Sequence, residues 1–193
     1  MRALVMIVPL FALTLTGCGV LNPQPTTNPP AQNPGQARPL PPQATNTIPP
    51  TDLPVIGTRT TSDKDIPLEI SLREVRSGTG AMTVTFSATN RSTTGKAWDI
   101  WDFFSDGITQ VEGDGDWTAD GVAVIDTTAA KRYLPARSAD HHCMCSQGLL
   151  DTTVGPDQTV YLSAVYQGLP PDVTTVSVEI PHAGVFGNVP VTR

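Results

Sequence analysis

Apolar and polar residues alternate strictly in two stretches of this chain. In DIPLEISLREV, Ile66, Leu68, Ile70 and Leu72 alternate with Glu69, Ser71 and Arg73. In AMTVTFSATN, Met82, Val84, Phe86 and Ala88 alternate with Thr83, Thr85, Ser87 and Thr89. A period of two sends successive side chains to opposite faces, so both stretches predict half-buried antiparallel strands, apolar side inward and polar side outward. Further strands are predicted at Val122–Ile125, Thr159–Tyr166, Thr174–Ile180 and Asn188–Val191. Turn residues separate them in SGTG, SDG, GDGD, VGPD and GLPPD, and no segment keeps a helical period for a dozen residues. Seven or eight short strands at this spacing predict an all-β protein, an immunoglobulin-like antiparallel β-sandwich, with a small barrel as the alternative.

KAWDIWDFFSDG is the most aromatic stretch. Read as a strand, it places Trp98, Ile100 and Phe104 on one face and Trp101 and Phe103 on the other. The first reading is a central strand whose tryptophan packs across the core, as most large aromatics do. The second makes Trp101 and Phe103 a binding patch on the outer face.

The N-terminus does not follow the strand pattern. In MRALVMIVPLFALTLTGCG, Arg2 precedes an apolar run from Ala3 to Leu15, shorter than the about 20 residues a spanning helix needs. A basic start, a short apolar run and small residues at its end are expected of a secretion signal covering residues 1–17. Leu15-Thr16-Gly17-Cys18 resembles the lipobox of bacterial lipoproteins. That resemblance implies a diacylglycerol on the Cys18 thiol, cleavage just before it, and frequent acylation of the new N-terminus. Two or more acyl chains hold a protein stably at a membrane, where one binds only marginally.

Residues 18–57 then form the lipidated terminus and a linker. From Asn22 to about Gly57 the chain holds eleven of its nineteen prolines, is rich in Thr, Gln and Asn, and lacks aromatics. Such a segment cannot bury enough apolar surface to offset its ordering entropy, and is expected to be a disordered stalk. At about 3.1 Å per residue it would reach on the order of 100 Å. Residues 58–193 are left as one domain of ordinary size.

Charge narrows the choice of partners. The formal net charge is −6, and loss of Arg2 with the signal makes it about −7. A chain this acidic lacks the basic stripe that nucleic acid requires. Attachment to an anionic membrane must therefore come from lipid.

Within the domain, GVAVIDTTAAKRYLPARSADHHCMCSQGL and YQGLPPDVTTVSVEIPHAGVFGNVPV resemble a β-sandwich segment of some bacterial wall-associated proteins, where it precedes an OmpA-like peptidoglycan-binding domain. The shared features are the Lys131-Arg132-Tyr133 strand, the Cys-x-Cys-Ser segment, and the Pro-Pro-Asp-Val turn before a strand ending in Ile180-Pro181. No such domain follows before Arg193, so anchoring is expected from the lipid instead.

HHCMCSQG holds the remaining two cysteines, Cys143 and Cys145. In an oxidising exterior the leading expectation is a disulfide between them. On a straight strand residues two apart are separated by roughly 6.6 Å, whereas bonded cysteines bring their Cβ atoms to about 3.8 Å. The bond therefore requires the chain to bend sharply at Met144. The alternative is a copper or zinc site from His141, Cys143 and Cys145, with His182 as the only other imidazole ligand available outside this segment. A redox dithiol is disfavoured by the absence of Cys-x-x-Cys spacing.

Other chemistry carries less weight. DWTADGVAVIDT places Asp116, Thr118, Asp120 and Gly121 as in a calcium loop, but Thr127 stands where a bidentate glutamate is needed, so an Asp-Gly hairpin turn is expected. NRS at Asn90 fits a glycosylation acceptor but is read as a turn. No nucleophile elbow, zinc-protease helix or phosphate-binding glycine loop occurs. The resulting expectation is a non-enzymatic envelope lipoprotein without a cofactor, held at the membrane by lipid and presenting its domain to an envelope protein or wall polymer. The alternative is a metal-handling lipoprotein using His141, Cys143 and Cys145.

Overall fold

The two alternating stretches form the middle of one sheet in a computed structural model that describes residues 52–107 and 117–193. The strands are β1 (Gly57–Asp63), β2 (Ile66–Ser77), β3 (Ala81–Asn90), β4 (Trp98–Asp99) and β5 (Ala123–Asp126). They continue with β6 (Lys131–Tyr133), β7 (Thr153–Val154), β8 (Thr159–Gln167), β9 (Thr175–Ile180) and β10 (Gly184–Pro190). One sheet runs β1-β2-β3-β8 and a second runs β10-β9-β5-β6, while β4 and β7 form a small pair. All these strand pairs are antiparallel, so the expected all-β antiparallel class is the class observed. The one helical element among the described residues is a 3₁₀ turn at Leu149–Asp151.

Ile66, Leu68, Ile70 and Leu72 of β2 and Met82, Val84, Phe86 and Ala88 of β3 are buried. They share one core with Trp98, Phe104, Val124, Val176, Val178, Ile180 and Phe186, which come from the small pair, its following loop and the second sheet. Each such side chain stabilises the fold by about 1.5–3 kcal/mol relative to exposure. β2 breaks its own alternation where the register skips Arg73 between Leu72 and Glu74, a bulge that turns Val75 inward.

The polar face of this sheet departs from expectation. Thr85, Ser87 and Thr89 are only 4%, 1% and 6% exposed. β3 lies between β2 and β8, so longer neighbours cover its small hydroxyls. Arg73 donates to the Ser87 hydroxyl at 3.1 Å and lies over the Tyr161 ring, and the Thr89 and Thr159 hydroxyls meet at 2.8 Å.

The chain changes sheet at its end. After a bulge between Phe186 and Val189, Thr192 pairs in parallel with Arg76 of β2. The Thr192 amide donates to Val75 and its carbonyl accepts from Ser77, both at 2.9 Å, along the part of β2 that β1 does not cover.

Strand direction defines two ends. The chain enters at Gly57, opposite Leu72, and β1 carries it for seven residues, roughly 20 Å, to the Lys64–Asp65 turn. The entry end also holds Thr192 and the Gly78–Gly80 turn. The far end holds Lys64–Asp65, the segment after Asn90, and the β9–β10 turn at residues 181–183, where the Thr61 hydroxyl donates to the His182 carbonyl at 2.8 Å.

Candidate functional site

Residues 136–146 fold back on themselves and lie along the outer edge of β8. Arg137 stands opposite Cys143, and Cys145 opposite Ala164. The Met144 amide donates to the Ala136 carbonyl, and its carbonyl accepts from Val165, both at 2.8 Å. One residue thus bonds to both sides, which a straight strand also allows. What a straight strand does not allow is the 5.3 Å separation of the Cys143 and Cys145 Cα atoms, which are joined by a disulfide. Met144 is the residue at which the chain bends.

This segment therefore works as a covalently closed clasp on a sheet edge that would otherwise present unpaired backbone groups. With both sulfurs in one bond, no thiolate is left for a metal. His141 and His142 are exposed in the adjoining turn, where the His141 amide donates to Ser138 at 3.0 Å. His182 lies elsewhere, its ring tilted 37° from that of Phe103 with centres 4.8 Å apart. Among the described residues no three His, Cys, Asp or Glu side chains gather as a ligand set.

The aromatic stretch is not one strand. Only Trp98–Asp99 is extended, and Trp101 adopts φ +40°, which reverses the chain so that the Phe103 amide donates to Ile100 at 2.9 Å. Strand parity no longer applies beyond that point. Trp98 is buried, as the core reading requires, and its indole N–H donates to Asp63 at 3.0 Å. Phe103, expected beside Trp101 on an outer face, is instead 5% exposed, packed edge-to-face against Trp98 at 5.2 Å and Phe104 at 5.0 Å. Trp101 and Phe103 therefore do not form a surface pair.

Trp101 has a different partner. It is 44% exposed and stands perpendicular to Trp117, 88° between planes and 6.0 Å between ring centres. The Lys64 ammonium lies 5.5 Å from the Trp101 ring centre. Sequence reasoning missed Trp117, because contact across sixteen positions leaves no periodic signal. A bulky residue in the left-handed region is strained by about 1–3 kcal/mol, and such strain persists only when its surroundings dictate it. Lys64 and Asp65 also have positive φ, at 46° and 65°, in a two-residue hairpin turn that Asn-Gly would make with less strain.

The surroundings that hold this end are polar. Asp120 is buried, accepting from Ser105 Oγ at 3.0 Å and the Asp106 amide at 3.2 Å, and pairing with Arg137 at 3.1 Å. Gly121 brings its amide to the Phe104 carbonyl at 3.0 Å, and a Cβ there would stand 2.7 Å from the Ser105 carbonyl carbon. Asp120 is thus a scaffold residue. Of the calcium-loop positions, Thr118 is half-buried, Thr127 is exposed, and Asp116 lies outside the described residues. Asn90 is likewise structural: fully buried, its amide nitrogen donates to Lys96 and Val154, both at 2.9 Å, and its oxygen accepts from Ser92 at 2.8 Å.

Arg137 also donates to the His141 carbonyl at 2.9 Å. One guanidinium therefore connects the clasp to the loop that carries Trp101. Two more bonds tie the segments of Trp117 and Trp101 to residues 149–152: Leu149 donates to the Trp117 carbonyl at 3.0 Å, and Ile100 to the Thr152 carbonyl at 3.1 Å. Among the described residues no buried side-chain nitrogen or oxygen lacks a hydrogen-bond partner. Cys18 and the linker up to Thr51 lie outside the described residues.

No protein-family profile matches the chain, and no curated protein or solved structure matches it.

Proposed function

We propose that this chain is a cell-envelope lipoprotein without enzymatic activity. Cys18 carries lipid, the proline-rich segment is a stalk, and an immunoglobulin-like sandwich meets a wall polymer or envelope protein with its far end. The observation that carries the reading is the direction of β1. A tether attached before Gly57 joins one end of the sandwich, and the exposed Trp101 lies against Lys64, roughly 20 Å away at the other. A domain held from its entry end presents that indole away from the membrane. Loops at one end of a β-sandwich are its usual recognition surface, though fold alone does not choose a ligand. The disulfide supports an oxidising location.

The test is metabolic labelling of cells making the full chain with a palmitate analogue, followed by envelope fractionation. The expected result is label on the wild type, none on Cys18→Ser, and recovery of the wild type with membranes. Equal labelling of both, or recovery in the cytosol, overturns the reading.

A further inference from the structure

Trp101, Trp117 and Lys64 converge at the far end from three separate segments, and the two indoles stand as floor and wall. We infer that this corner is a saccharide-binding site that takes one neutral sugar ring of a wall glycan. The inference rests on the envelope reading and names the chemistry of its ligand.

Three observations select the occupant. A pyranose ring presents a C–H face to the electron-rich face of an indole, and Trp101 is exposed enough to offer one. The same segments carry exposed groups of both hydrogen-bonding kinds. Asp102 follows Trp101 in the chain, and Asp151 lies in the 3₁₀ turn bonded to Trp117; ionised, both accept only, while Lys64 donates only. Sugar hydroxyls do both and satisfy each. Finally, these carboxylates and a net charge of −6 repel anionic polymers, which leaves neutral glycan as the wall component that fits.

A protein partner fits less well. Among the described residues the exposed apolar side chains here are Trp101 and Leu150, whereas a stable protein interface covers about 800 Å² on each partner around an apolar centre. The site is also held before any ligand arrives, because the Asp120 bonds to Ser105 and Asp106 hold the loop after Trp101. Binding then costs little ordering.

The experiment uses the full chain carrying Cys18→Ser, titrated with oligomers of β-1,4-linked N-acetylglucosamine and followed by tryptophan fluorescence and calorimetry. Saturable binding is expected, weakened about tenfold or more by Trp101→Asn and by Trp117→Ala. Asparagine tolerates the left-handed backbone at position 101, so an unchanged urea midpoint separates lost binding from lost folding. Absence of saturable binding, or binding indifferent to both substitutions, overturns the site. So does competition by tetramethylammonium, which would make the corner a cation cage, or retention on glycan-free envelope protein alone. Palmitate labelling and retention on isolated walls report separately on the envelope reading. If both persist in Trp101→Asn at wild-type strength, that reading stands and this site falls; if glycan binding survives while labelling is absent, the site stands and the address falls.

Discussion

Tyr166 offers a quantitative test of the core, because one hydroxyl controls two effects of opposite sign. It lies on β8 opposite Met82, buried, and donates its hydroxyl to the Val122 carbonyl at 3.1 Å. Burial pushes its pKa above the usual tyrosine value, since a phenolate there would lose its hydration. A folded-state pKa raised above the unfolded one means the stabilisation is fully present below about pH 10 and is lost as pH rises. The unfolded chain then releases a proton that the folded chain keeps. While the folded group stays neutral the loss is RT ln(1 + 10^(pH − 10)): about 0.4 kcal/mol at pH 10 and about 1.4 kcal/mol at pH 11.

Tyr166→Phe keeps the ring and removes both the hydrogen bond and the titration. At about pH 7 the variant should be less stable by about 1 kcal/mol, the net value of a buried hydrogen bond. Near pH 11 the wild type has lost slightly more than that, so the order of stability should cross between about pH 10.5 and 11. Urea unfolding of both proteins at each pH, followed by tryptophan fluorescence, measures the difference, and pH effects common to both cancel. A difference that keeps its neutral-pH value through pH 11 would refute the reasoning, because it would mean that Tyr166 ionises as easily in the fold as outside it.

Three further outcomes follow from the loop scaffold and the clasp. Arg137→Leu removes a donor from the buried Asp120 carboxylate and should cost about 2 kcal/mol in urea unfolding, the scale of a hydrogen bond to a charged group. Replacing both Cys143 and Cys145 by serine opens a ring of three residues. The chain-entropy relation then gives a loss of about 1.6 kcal/mol, with faster hydrogen exchange at the Val165 amide as the local sign. Gly121→Ala forces a methyl against the backbone of residues 104–106 and should lower stability by about 2–3 kcal/mol, visible as a reduced melting temperature.

The parts of the fold legible in the sequence are those where one face is apolar and the other polar. β2, β3, β8 and β9 carry alternation because each sends every second side chain into the shared core. β1 escaped notice because it is an edge strand, TRTTSD, largely exposed and so without an apolar side to show. β4 and β7 are two residues each, below the length at which a period can be seen. The aromatic stretch misled for a local reason: one positive φ at Trp101 replaces a period of two with a turn, and no propensity rule anticipates that conformation for tryptophan. The cysteine pair was legible because an oxidising location calls for a bond and the two-residue spacing then requires a bend at Met144. Trp117 and Asp120 were not, since their partners lie sixteen and seventeen positions away.

The distribution of strain and bonding sets Trp101 apart from the other left-handed positions. Backbone that is left-handed at Lys64, Asp65, Trp101 and His182 would relax if its surroundings allowed it. Around Trp101 they do not. The Phe103 side chain two residues on is locked between Trp98, Phe104 and His182, and Ser105 and Asp106 are tied to a carboxylate that is itself paired with the clasp. The indole is thereby held outward at an energetic cost, although a glycine or asparagine at the same φ would have avoided it. At the entry end the Gly78–Gly80 turn gives its positive φ to Gly80, and Ala130 and Asn188 take it toward the same end. Ordinary turns take the positive φ with glycine or with small and polar residues such as Ala130, Asp157 and Asn188; at Trp101 it falls on a large aromatic. A large aromatic at positive φ that is nonetheless 44% exposed is the physical reason to look for a ligand at Trp101 rather than at the more sequence-conspicuous cysteines.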